Sequence, residues 1–369
     1  MKIGIDISQI VYGTGVSVYT KNLVENLLKI DRKNQYLLFG SSLRRRKYLY
    51  YYTAKLLKYY SNVNAKIFPF PPTFLSLIWN KWHILPIENF IGNIDVFFSS
   101  DWTQPPAKQA KLTTVVNDLI PWLYPETLHP KIVNTHKNRM TWVQKEADKI
   151  IAISQGTKND LIKIIGISPN KITVAYPGVD QDKFYPQSET KINQIKKKYR
   201  LNNFILALGT QEPRKNFSRL INAFQKLKNK NFQLAIVGKY GWGSKNLKFE
   251  IKNLKLLGYV PDEDLAPLYS GARCFVYPSL YEGFGLPILE AMACGCPVIT
   301  SNISSMPETA GKAAILINPQ KTTEITQAID RIINSKKLAE ELSKKGIEQV
   351  KKFSWEKTAE KVLSVFHKV

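Results

Sequence analysis

The chain has 369 residues, 53 Lys+Arg against 29 Asp+Glu, a net charge of +24 and 44% hydrophobic residues. That length fits two domains, and that hydrophobic content excludes general disorder, which needs low hydrophobicity beside high charge. Three cysteines, Cys274, Cys294 and Cys296, exclude a disulfide-stapled scaffold, while the basic excess, spread over both halves, points to anionic partners without naming one.

The amino terminus reads MKIGIDISQI, and Asp6 arrives too early for the apolar core of a signal peptide. No uncharged apolar run reaches the roughly 18 residues of a spanning helix. The nearest, 68–79, holds three prolines. A cytoplasmic location is expected. Strands are expected at 2–6, 35–39, 95–99, 113–117, 149–154 and 171–176, with an amphipathic helix at 16–30. These strands are nearly continuous apolar runs, as in parallel sheets covered on both faces. The pattern then restarts, with strands at 203–209, 232–238, 255–260, 274–278 and 297–300. Helices are expected at 216–227, 262–271, 286–294, 323–352 and 355–367. Two blocks of strand–helix alternation predict an α/β protein of two doubly wound, Rossmann-like domains. The expected domains are 1–180 and 181–354, with the last helix, 355–369, packing back on the first. The turn-rich stretch 176–186 is the expected hinge.

In open α/β sheets, ligands bind beyond the carboxyl ends of strands, so the loops there are the places to search. The most informative one runs from Tyr277 to Thr300, YPSLYEGFGLPILEAMACGCPVIT. Glu282, Gly283 and Gly285 follow a strand, and a helix then opens at Leu286 and carries Glu290. Glycines let backbone amides approach a ligand, and a helix N-terminus suits a phosphate. Carboxylates at such a place suit sugar hydroxyls. The same residues also fit a plain glycine turn followed by a solvated helix.

The surrounding sequence narrows this. E-x7-E inside EGFGLPILEAMACGCPVI closely resembles the signature of retaining nucleotide-sugar glycosyltransferases of group 1, family 4. Four other segments resemble that family in order: SQGTKNDLI (154–162), VAYPGVD (174–180), LGTQEPRKNFSRLINAF (208–224) and LGYVPDEDLAPLYSGA (257–272). The resemblance covers nearly the whole chain and is similar in kind to O-antigen-type mannosyltransferases. It implies the GT-B fold, two Rossmann-like domains facing across a cleft.

It also implies roles. Arg214 and Lys215 resemble the cations that hold the donor diphosphate. Fixed cations there stabilise a leaving group that gains charge as the glycosidic bond breaks. Cations are otherwise unfavourable at a helix start. Thr210 stands where many relatives carry an arginine. Glu290 resembles the residue that grips the donor ribose, and Glu282 the one that contacts the sugar ring. Gly283, Phe284, Gly285 and Leu286 would surround sugar and diphosphate through backbone amides. Tyr259 and Val260 would meet the nucleobase, partly through main-chain hydrogen bonds. Phe284 and Tyr259 also fit core aromatics. Gly13 and Gly15, in YGTGVSVYT, would face the diphosphate from the first domain, or simply serve a turn. On the acceptor side many relatives have a His–Asp pair. Here Asn117 takes the histidine's place beside Asp118, and an amide cannot act as a general base. Asp118 could still orient an acceptor hydroxyl.

The four histidines show no metal-ligand spacing, and neither a metal nor any other cofactor is expected. Cys294-Gly-Cys296 reads as small core packing. The segment 44–60, RRRKYLYYYTAKLLKYY, is basic and aromatic. It suits an anionic membrane surface or a core-facing helix with a solvated basic face. Nucleic acid is not expected, because no recognition motif accompanies it. The expected function is retaining transfer of a hexose, with mannose a candidate, from a nucleoside diphosphate sugar to a hydroxyl. The expected acceptor is a glycan, a lipid-linked saccharide in surface polysaccharide synthesis. The rivals are a sugar-nucleotide epimerase or hydrolase on the same fold, and a nucleotide-sugar-binding protein without activity.

Overall fold

The computed structural model describes residues 1–239 and 251–369. The chain divides into two compact units. One comprises Met1–Pro125, His129–Gly178 and Trp355–Val369, the other Glu126–Leu128 and Val179–Ser354. Each is built on one parallel sheet with a doubly wound order.

The first sheet contains β1 (Lys2–Asp6), β2 (Gln35–Ser41), β3 (Val63–Phe68), β4 (Val96–Ser99), β5 (Lys111–Val116), β6 (Lys149–Ala152) and β7 (Ile172–Val174), in the order β3-β2-β1-β4-β5-β6-β7. The second contains β8 (Phe204–Leu208), β9 (Gln233–Val237), β10 (Leu254–Gly258), β11 (Phe275–Tyr277), β12 (Val298–Ser301) and β13 (Ala314–Ile317), in the order β10-β9-β8-β11-β12-β13. The chain reverses its direction of winding between β1 and β4, and again between β8 and β11. Crevices open at such switch points.

The central strands are the continuous apolar runs expected of them. KIGID is buried from Ile3 to Asp6, and QLAIV from Leu234 to Val237. Two strands escaped the sequence reading, β3 (VNAKIF) and β13 (AILI). Both lie at sheet edges and both are only partly buried, so their sequences lack the signal of a doubly covered strand. The helix Pro130–Glu146 also went unseen. Its buried stripe includes a charged residue, Arg139, beside Val133, Met140 and Val143. The single helix expected at 323–352 is two, Thr322–Asn334 and Lys336–Val350. Ser335 leaves the helical conformation, and its hydroxyl accepts from the Leu338 amide as an N-cap.

The terminal helix, Trp355–Phe366, packs on the helix Gly15–Ile30 of the first unit. Trp355 meets Tyr19 edge-on at 5.8 Å, and Phe366 meets Phe98 at 5.6 Å. The Thr358 hydroxyl donates to the Tyr176 carbonyl at 2.6 Å. The helix Arg46–Tyr59 buries Leu49, Tyr52, Thr53 and Leu56, and it turns Tyr48, Tyr50, Tyr51, Leu57 and Tyr59 outward. All three cysteines are buried.

Candidate active site

The carboxyl ends of β8 and β9 come into backbone contact. Gly209 and Gly238 have φ of 148° and 142°. A Cβ on Gly238 would stand 1.9 Å from the Gly209 carbonyl oxygen. Glycine is therefore required there by space as well as by dihedral. Beyond Gly209 the chain makes a short turn, Pro213–Lys215, and Asn216 takes φ 61°. The Asn216 side chain donates through Nδ2 to the carbonyls of Pro278 at 3.0 Å and Pro319 at 2.7 Å. The Leu280 amide donates to the Arg214 carbonyl at 2.8 Å. These bonds tie the turn carrying two cations to the loop that follows β11.

The result is a buried charge cluster. Lys215 Nζ donates to Glu282 Oε1 at 2.6 Å and to the Tyr277 hydroxyl at 2.8 Å, and it lies 4.9 Å from that ring's centre. Arg214 Nη1 stands 3.1 Å from Glu282 Oε2, and Arg214 Nη2 pairs with Glu212. The four charged side chains are between 8% and 11% exposed. Burial alone would raise the Glu282 pKa. The charges of Arg214 and Lys215 outweigh it and hold this carboxyl at about 2. Burial pushes the Lys215 ammonium down, against the pull of Glu282. Two cations face two carboxylates, so the formal charges cancel.

Glu282 is held from behind. The hydroxyls of Ser304 and Ser305 donate to its carbonyl at 2.7 and 2.8 Å. The Thr309 hydroxyl donates to the Phe284 carbonyl at 2.7 Å. Gly285, at φ 96°, caps the helix Leu286–Ala293, so the first turn of that helix follows directly on the loop. Gly283 and Gly285 are buried. The Phe284 ring is 3% exposed and packs edge-on against Phe353 at 5.6 Å, a core aromatic that presents no ring face to a ligand.

Glu290 is not part of the charge cluster. It sits half-buried on the same helix and accepts from the Tyr269 hydroxyl at 3.0 Å. Loss of solvation raises it to about 7, against the smaller effects of Tyr269 and Lys183. Thr210 is exposed. After β10, Tyr259 is 64% exposed under Lys239 Nζ, 4.6 Å from its ring centre. Val260 is 4% exposed, so only its main chain could meet a base.

In the first unit, Gly13 has φ 66° and precedes the helix that Gly15 begins. A Cβ at either would touch nothing within 4 Å. Asn117 is buried, and Asp118 Oδ1 accepts from the Ile120 amide at 2.9 Å. Sequence reasoning thus found Arg214, Lys215 and Glu282, which come together. It missed Glu212, Tyr277 and Tyr269, which partner them and Glu290, because nothing in their spacing announces the contacts. Among the described residues, no group of three or more His, Cys, Asp or Glu side chains could hold a metal ion. No helix is long and apolar enough to cross a membrane, again among the described residues.

Comparison with known proteins matches both halves. The sequence model described as "Glycosyl transferases group 1" covers residues 188–349, and that described as "Glycosyltransferase Family 4" covers residues 13–183. The O-antigen chain mannosyltransferase B of Escherichia coli is 32% identical over 279 residues, 71% of each chain.

This chain is a group 1, family 4 glycosyltransferase.

A longer Escherichia coli relative, the serotype-specific mannosyltransferase WbdA, is 32% identical over 278 residues, 69% of this glycosyltransferase but 33% of that protein. Among solved structures, the Anabaena protein HepE, in complex with UDP and glucose, superposes with a TM-score of 0.73 over the whole of both chains at 17% identity. The glycosyltransferase has the GT-B fold of such neighbours.

Proposed function

We propose that the protein is a retaining hexosyltransferase that moves mannose from a nucleoside diphosphate sugar to a hydroxyl of a lipid-linked saccharide in polysaccharide synthesis. The observation that carries the reading is the Arg214–Lys215–Glu282 cluster at the mouth of the Gly283–Gly285 loop. Two buried cations beside a helix N-terminus suit a diphosphate. They stabilise it more as the C1–O bond breaks and the bonding pair passes to the β-phosphate oxygen. The acceptor oxygen then bonds C1 on the same face, and its proton goes to the departing phosphate. No protein base is needed for that step, so Asn117 is compatible with it. Glu282 would accept from sugar hydroxyls, and Glu290 from the ribose. The backbone of Gly283 to Leu286 would contact the diphosphate, Tyr259 and Val260 the base. Neither a metal nor another cofactor is required by this scheme.

The mannosyltransferase names of the curated relatives support the sugar, and the HepE complex supports a nucleotide-sugar site. The exposed tyrosines and basic residues of Arg46–Tyr59 support a resting place on an anionic membrane. A thermal-shift panel of GDP-, UDP-, ADP- and dTDP-linked mannose and glucose tests the donor, since binding raises stability by mass action. Turnover of the bound donor with methyl α-mannoside, with the product's anomeric configuration read by NMR, tests the reaction. An inverted anomer refutes retention, and free sugar as the sole product favours a hydrolase.

A further inference from the structure

The first unit carries a polar cluster that the scheme above does not use. The helix Pro130–Glu146 leads from β5 back to the parallel strand β6, so it runs antiparallel to both. Arg139 pins it to the sheet. This fully buried guanidinium donates to Thr114 Oγ1 at 2.6 Å and to the Val115 carbonyl at 2.8 Å, and its Nη1 lies 3.4 Å from Asp101 Oδ1. His136 stands three residues earlier, on the same face and one turn nearer the helix start. That step takes it toward the carboxyl end of β5, where the charge of Asp118 acts on it. The loop after β4 closes the other side, with Trp102 edge-on to the imidazole at 5.3 Å and 85°.

His136 is therefore toward the carboxyl end of the sheet, the end at which ligands of such folds bind. It is half-buried. Its ring packs against Trp102, and burial and nearby charge act on it. Loss of solvation and the Arg139 charge lower its pKa to about 4, against the opposing charge of Asp118. At neutral pH the imidazole is uncharged and offers one donor and one acceptor nitrogen. The arrangement has an aromatic wall, a carboxylate and a neutral imidazole, with an arginine locking the helix in place. Aromatic faces and paired donor–acceptor groups suit a saccharide.

We infer that His136, with Asp118 and Trp102, forms the subsite that binds and orients the acceptor saccharide's attacking hydroxyl. The inference rests on the glycosyl-transfer reading above, and places in space an imidazole that Asn117 does not supply in sequence. His136 accepts the hydroxyl's hydrogen bond while the proton is still on the acceptor oxygen. It is a positioning residue for that oxygen, since the departing phosphate takes the proton.

The test uses the full chain, the mannose donor that binds in the panel, and methyl α-mannoside as acceptor. His136→Ala should lower transfer about 10- to 100-fold, the range of one orienting hydrogen bond. Donor affinity and hydrolysis of the donor by water should stay within about twofold, limits well below that effect. His136→Gln, which keeps an acceptor atom, should restore part of the transfer, and so should added imidazole with the alanine variant. Equal loss of hydrolysis and transfer, without rescue by either, overturns the assignment and makes His136 a structural residue. Unchanged transfer in His136→Ala also overturns it and leaves the glycosyltransferase reading intact. If the unaltered protein turns over no sugar nucleotide at all, the reaction scheme fails and the assignment with it.

Discussion

Replacing Glu282 by glutamine removes one charge from the cluster and little volume. The carboxyl is held at about 2 instead of 4.5. That difference corresponds to about 3 kcal/mol of favourable interaction with its surroundings, at about 1.4 kcal/mol per tenfold. The side chain is about nine-tenths buried, so solvent screens little of it. The value agrees with the roughly 3–5 kcal/mol lost when one partner of a buried pair is removed. Thermal unfolding of the second unit at pH 7 should therefore shift downward by about 6–12 °C. The sign with pH follows from the direction of the shift. A lowered carboxyl pKa contributes stability that is fully present above about pH 4.5 and lost as pH falls through about 2. Variant and parent should converge on acidification. The variant also leaves two cations facing only Glu212, so calorimetry should find UDP or GDP bound more tightly while sugar turnover falls. A melting point unchanged at pH 7, or a gap between the proteins that does not narrow in acid, would refute the ion-pair reasoning.

Lys215→Ala should lower kcat/KM by about 100-fold or more, the scale of one lost transition-state charge contact. A change within twofold in steady-state kinetics removes the diphosphate role. Gly238→Ala should destabilise the second unit strongly, since its methyl would stand 1.9 Å from the Gly209 oxygen. A chemical-denaturation midpoint equal to the parent's contradicts that contact. Glu290, raised to about 7, favours the folded state below about pH 4.5 and loses that contribution as pH rises through 7. Nucleotide affinity should rise over the same interval as the carboxylate forms, and Glu290→Gln should flatten the titration. A parent titration already flat between pH 6 and 8 removes the ribose assignment.

The residues that announced themselves in the sequence were those whose roles are local. The Glu282–Glu290 stretch stood out because its glycines fall between a strand end and a helix start and because EGFGLPILEAMACGCPVI resembles the family signature. Arg214 and Lys215 stood out through the resemblance of LGTQEPRKNFSRLINAF to the family's phosphate-binding segment, with their place at a helix start as a lesser sign. Their partners did not. Glu212 is two residues from Arg214, and Tyr277 lies 62 residues from Lys215, yet neither contact has a sequence signature. His136 was equally silent, since its place beside Asp118 depends on a helix whose buried stripe includes an arginine. The central strands were legible because water reaches neither face of them. The edge strands β3 and β13 were not, because partial exposure mixes polar residues into their pattern.

The terminal helix carries a consequence for synthesis. Trp355 and Phe366 fill hydrophobic places in the first unit, but they are made after the second unit. The second unit is almost contiguous in sequence, whereas the first is split around it. Until residues 355–366 emerge, Tyr19 and Phe98 of the first unit lack their aromatic partners. A fragment cut near residue 180 lacks that cover.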